Sequence, residues 1–203
     1  MLFHMSSQLQ TRGGFILAGG RSSRMGSDKA FLEFGGVTLL ERAMAGMAGA
    51  CDQVMIVGDP AKFASYGPVV ADVFPGCGPL GGIHAALVHS TAELNLMVAV
   101  DMPFVSAELL AFLFTEAEKN DAIVAVPRVG KGLQPLCAVY RRDFAAVAEQ
   151  ALRAGKYKVD AAFAGVATYV VEASELAAAG FSERSFLNVN TPEERYAAEH
   201  QSL

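Results

Sequence analysis

Gly13-Gly14-Phe15-Ile16-Leu17-Ala18-Gly19-Gly20-Arg21-Ser22-Ser23-Arg24-Met25-Gly26-Ser27-Asp28-Lys29 begins as a short apolar run and empties into a loop rich in glycine and serine. Residues 13–17 predict a first strand, and residues 18–29 the turn beyond its carboxyl end. Glycines let main chain approach a ligand closely, and successive backbone N–H groups can cradle phosphate oxygens. Arg24, a planar fork, and Lys29, a point charge, add full positive charge. Together these suit a triphosphate, whose negative charge must be offset before it reacts. A P-loop fits poorly, because Lys29 stands three residues past Gly26 rather than next to it. Gly76-x-Gly78-x-x-Gly81 matches the dinucleotide-binding expression, but Pro75 and Pro79 spoil its strand–turn–helix context.

Beyond the loop, strand-like runs alternate with helix-period stretches. Residues 38–50 read as a helix with Leu40, Met44 and Met47 on one face, residues 53–57 as a second strand, and 69–71 as a short third one ending at Asp72. Residues 80–89 look helical, and 94–100 are the best candidate for a buried strand, stopping at Asp101-Met102-Pro103. Ser106 can cap a helix running to about residue 119. Two more strands fall at 123–126 and 136–140, a helix at 143–154, and a last helix opens at Thr191-Pro192-Glu193-Glu194. Such alternation implies an α/β fold with a mostly parallel sheet covered on both faces. Ligands of such sheets bind outside the carboxyl ends of the strands, which singles out the loop, Asp72 and Asp101. No repeat or long linker divides residues 13–203, so one domain is expected after a flexible segment 1–12.

Composition narrows the function. The 203 residues are 52% hydrophobic and 18% charged, with formal net charge −5. The basic residues are scattered, without the stripe that nucleic acid or an anionic membrane would require. A small-molecule partner is expected. Three cysteines without a C-x-x-C spacing favour reduced thiols in the cytoplasm over a disulfide or zinc scaffold. Residues 1–12 lack the apolar core of a signal peptide, and Met5 could equally be the native start. No apolar run reaches membrane-spanning length.

Leu17-Ala18-Gly19-Gly20-x-x-x-Arg24-Met25-Gly26-x-Asp28-Lys29 resembles the first motif of the molybdenum cofactor guanylyltransferases. The resemblance continues, in order, with Gly78-Pro79-Leu80-x-Gly82, Asp101-Met102-Pro103 and Asn188-Val189-Asn190-Thr191-Pro192-Glu193-Glu194. It implies the three-layer α/β/α, Rossmann-like fold of the nucleotide-diphospho-sugar transferases. It also implies transfer of GMP from GTP to molybdenum–molybdopterin, with release of pyrophosphate. Leu17, Ala18, Gly19, Gly20, Lys29, Asp72 and Asp101 would contact the nucleotide; Asp101 would also hold Mg²⁺, for which Mn²⁺ can substitute. A base contact would fall near Gly58, where the family often carries asparagine. Asn188, Asn190 and Lys158 would face molybdopterin. Arg24, Lys29 and Asp101 would carry the catalysis. A cytoplasmic monomer is expected, and because the product is labile a transient contact with molybdoenzymes or cofactor-insertion proteins is expected too.

Plainer readings stand beside these. Asp101 could cap a turn, Asp72 could be an ordinary strand exit, and Asn188 and Asn190 could tie down the last turn. Lys156 and Lys158 could be a solvated pair. Gln134-Pro135-Leu136 could line the acceptor side. His84, on an apolar helix face, reads as a satisfied core histidine, and Cys77 as incidental. Two other functions compete. A cytidylyltransferase or sugar-phosphate nucleotidyltransferase keeps the fold, although the cytidylyl relatives tend to Leu-Ala-Ala-Gly where this chain has Leu17-Ala18-Gly19-Gly20. A non-catalytic nucleotide binder would have no need of the carboxylate for a metal.

Overall fold

The computed structural model describes residues 11–19, 28–189, 191, 194, 196 and 198. In chain order the elements begin with β1 (Arg12–Leu17), β2 (Glu33–Phe34), β3 (Val37–Thr38), α1 (Leu39–Ala48), β4 (Gln53–Val57), α2 (Pro60–Phe63) and β5 (Val69–Val70). Then come α3 (Pro79–His89), β6 (Leu94–Ala99), α4 (Ala107–Lys119), β7 (Val124–Val129), β8 (Gly132–Leu133), β9 (Cys137–Arg141), α5 (Phe144–Arg153), β10 (Thr168–Val171) and α6 (Ala173–Ala178).

The main sheet runs β10-β7-β9-β6-β1-β4-β5, with β8 paired to β7. β1 is parallel to both β4 and β6, as are β4 to β5 and β10 to β7. β9 is antiparallel to β6 and to β7. The reason lies in chain length: only the short β8 turn separates β7 from β9, and a parallel return requires a crossover of a dozen residues or more.

Period-two alternation sends the strand side chains to two cores. Ile16, Leu96, Val98, Ala125 and Val139 pack with Leu39 and Leu40 of α1, Leu109 and Leu113 of α4, and Leu176 of α6. Phe15, Leu17, Met97, Val124, Val126 and Tyr140 face the other way, against Leu80, Ile83 and Leu87 of α3 and Phe144 of α5. The fold is therefore three-layered, α/β/α.

Caps fix where the helices start. Thr38 Oγ1 accepts from Glu41 N–H at 3.2 Å while Glu41 accepts from Thr38 N–H at 2.8 Å, a reciprocal capping box. Ser106 accepts from Leu109 N–H at 3.3 Å to start α4. The elements that sequence reasoning passed over are β2, β3, α2, β8, β10 and α6. All are short, and their two to six residues give periodicity too little to act on.

Candidate active site

The central strands converge at their carboxyl ends. Ala18 and Gly19 both donate their N–H to the carbonyl of Val57 at 3.0 Å, which binds the start of the glycine loop to the end of β4. Gly58 N–H donates to Val70 at 3.0 Å and Val100 N–H to Leu17 at 3.2 Å. The exits of β1, β4, β5 and β6 thus form one laced edge, and each of the sequence-nominated residues Leu17, Ala18, Gly19, Gly58, Asp72 and Asp101 lies on it. Gly20 and Arg24 lie outside the described residues.

Lys29 reaches this edge from a single 3-10 turn, Lys29–Phe31, capped by Asp28, whose carboxylate accepts from Ala30 N–H at 3.3 Å. Its Nζ stands 3.3 Å from Asp101 Oδ2, with the two side chains 29% and 15% exposed. The other oxygen, Asp101 Oδ1, is buried and has no hydrogen-bond partner among the described residues. A buried carboxylate oxygen without a donor is costly. It is the kind of hard, unsatisfied ligand atom that Mg²⁺ takes. Among the described residues no three His, Cys, Asp or Glu side chains group closely enough to hold a metal. A Mg²⁺ site that draws its remaining ligands from substrate phosphates and water fits that donor set.

Asp72 leaves β5 beside α3. A Cβ on Gly82 would stand 3.4 Å from Val57, 3.5 Å from Leu17 and 3.8 Å from Asp72 Oδ1, ordinary contact distances that put α3 directly over the strand ends. Surrounding atoms strip water from Asp72 and raise its carboxyl above the usual carboxylate value. Gly81 is the constrained glycine of the two, since a Cβ there would meet the Phe74 carbonyl oxygen at 2.9 Å.

Gly58 accepts no side chain either. A Cβ there would lie 2.8 Å from the Phe63 ring, and Phe63 is 1% exposed and so has nowhere to turn. The asparagine expected of the family at this point has no room, and Asp59 instead caps α2 by accepting from Ala61 N–H at 2.9 Å.

The carboxy-terminal motif reaches the same edge. Val189 N–H donates to the Asp101 carbonyl at 2.8 Å, and the Val189 side chain is buried. That anchor leaves Asn188 exposed beside the Asp101 loop; Asn190 lies outside the described residues. Lys158 is on the surface, its side chain 83% exposed and 3.9 Å from Asp160. No contact among the described residues joins it to Lys29 or Asp101.

His84 is in the core, as the helical pattern suggested, but it is not satisfied. Neither ring nitrogen has a hydrogen-bond partner among the described residues; the ring packs edge-on against Phe74, and Nε2 is 4.0 Å from Glu149. The reason is local: the inner face of α3 around it is apolar, and the Glu149 carboxylate stops 4.0 Å short, near enough to act on a charged ring but too far for a hydrogen bond. Sequence reasoning also missed Lys62, which pairs with Asp28 at 3.0 Å. The two stand 34 positions apart, and no pattern in the sequence joins them.

Residues 14–168 match the family model described as a MobA-like NTP transferase domain. The "Probable molybdenum cofactor guanylyltransferase" of Pelotomaculum thermopropionicum is 42% identical over 181 residues, covering 88% of this chain and 87% of that protein. The molybdenum cofactor guanylyltransferase of Desulfosudis oleivorans is 34% identical over 189 residues, covering 92% and 93%. Among solved structures, the molybdopterin-guanine dinucleotide biosynthesis protein A from Archaeoglobus fulgidus superposes with a TM-score of 0.80 at 28% identity, covering 93% of this chain and 97% of that one.

Proposed function

Since the chain belongs to the family of MobA-like NTP transferases, we propose that it transfers GMP from GTP to molybdenum–molybdopterin, forming the guanine dinucleotide cofactor and releasing pyrophosphate. The observation that carries this reading is the part-buried pair of Lys29 and Asp101 where β1 and β6 end, beside a glycine-bearing turn.

The nucleophile is the terminal phosphate of the acceptor. A phosphomonoester is largely ionised at neutral pH, its second pKa being about 6, so no strong general base is needed to attack the α-phosphorus. The chain's work is alignment and charge neutralisation. The glycine-rich segment past Gly19 would offer its backbone N–H groups to the phosphates, those of Ala18 and Gly19 being taken by Val57, and Lys29, with Arg24, offsets the charge that grows on the departing pyrophosphate. Asp101 and the phosphates would hold Mg²⁺, which when bound supplies Lewis-acid polarisation of the phosphate oxygens. Asn188, Asn190 and Lys158 supply polar and cationic groups for the acceptor. No helix among the described residues is long and apolar enough to cross a membrane, and the reading carries with it a cytoplasmic monomer that passes its product to a molybdoenzyme or insertion protein.

The test is a panel of nucleotides and acceptors incubated with the purified protein and scored by product mass. GTP with molybdopterin should give the guanylyl adduct and pyrophosphate. Turnover of CTP instead, or of a sugar phosphate in place of molybdopterin, would overturn it.

A further inference from the structure

Asp28 and Lys62 form an ion pair that joins the Lys29 turn to α2. Lys62 Nζ lies 3.0 Å from Asp28 Oδ2, with the Asp28 side chain 14% exposed and that of Lys62 52%. The other Asp28 oxygen caps the turn through Ala30 N–H. Phe31 on the same turn packs against Phe63 of α2 and against Tyr66, with ring centroids 5.6 and 5.5 Å apart. Those rings already hold the two segments together. An ion pair this open to water adds little to stability.

Its charge has a clearer consequence. Two carboxylates belong to the surroundings of Lys29: Asp101 at 3.3 Å, and Asp28, its neighbour in the chain and the cap of its turn. Taken alone the three side chains sum to a negative charge, which would oppose a polyanion arriving there. Lys62 brings the sum to zero. We propose that Lys62 is a positioning residue for nucleotide binding: it neutralises Asp28, which keeps that carboxylate from drawing Lys29 off the phosphates and from repelling them. The proposal rests on the reading of this edge as the GTP site.

Four proteins separate charge from scaffolding: wild type, Lys62→Met, Asp28→Asn and the double variant. Asparagine caps a turn as well as aspartate does, so Asp28→Asn removes the charge while keeping the cap. GTP binding is followed by calorimetry at low and moderate salt. Lys62→Met should raise Kd for GTP about three- to tenfold at low salt, the scale for one partly exposed charge at this distance. That penalty should shrink as salt is added. Asp28→Asn should bind at least as tightly as wild type, and the double variant should recover most of what Lys62→Met loses. Steady-state rates should show the change in KM rather than kcat. A Lys62→Met protein that binds like wild type overturns the proposal, as does a double variant no better than Lys62→Met, since a purely structural tie predicts that result. Wild-type protein that binds no GTP overturns both this proposal and the reading beneath it.

Discussion

Lys29 and Asp101 are 72 positions apart in the chain, yet their side chains meet at 3.3 Å. The meeting follows from sheet order. β6 pairs directly with β1, Leu17 opposite Ala99, so the turn leaving one strand and the carboxylate leaving the other open onto the same edge.

If Lys29 offsets charge on the leaving pyrophosphate, Lys29→Ala should lower kcat by roughly 10²–10³, the scale for losing one transition-state donor. Single-turnover rates at saturating GTP measure this. A near-normal rate would remove Lys29 from the chemistry.

Asp101 should make turnover depend on a divalent ion. EDTA should abolish pyrophosphate release and added Mg²⁺ should restore it, while Asp101→Asn should need far more Mg²⁺ for the same rate, its amide being a weaker ligand for a hard cation. Titration of activity against Mg²⁺ checks both. An unchanged Mg²⁺ requirement in Asp101→Asn would count against ligation.

Gly58→Asn would restore the residue that the family often carries, and it should destabilise this chain. A Cβ there comes within 2.8 Å of a ring that is itself buried, an overpacking that costs about 1–3 kcal/mol. Urea unfolding reads the loss directly. Unaltered stability would mean that Phe63 can move aside.

His84 should make stability fall in acid. Burial lowers its pKa below the ordinary 6.5 despite Glu149, which pulls the other way; Arg153 adds to the lowering. The folded state therefore favours the neutral ring. That contribution is fully present above the unfolded value and is lost as pH falls through the lowered folded one. Urea midpoints should drop more steeply below about pH 6.5 in wild type than in His84→Leu. Equal slopes in the two proteins would assign the acid sensitivity elsewhere.

The architecture was legible because burial patterns repeat. Residues 53–57 appear as a strand with the boundaries expected, and the helix predicted over 38–50 starts at the Thr38–Glu41 capping box and ends at Ala48. Residues 94–99, apolar almost throughout, make the buried strand beside β1. The antiparallel course of β9 and the brief β2–β3 hairpin carry no such repeat and were not legible.

By itself the sequence determined most of the longer elements and the few charged residues on which chemistry could rest, because periodicity and capping act over a handful of neighbours. Only the tertiary structure decided that Lys29 lies against Asp101, that Val189 binds the Asp101 loop, that Lys62 covers Asp28 and that His84 makes no hydrogen bond among the described residues. Those contacts depend on strand order and on how closely helices settle over strand ends, which are set by the packing of the whole chain.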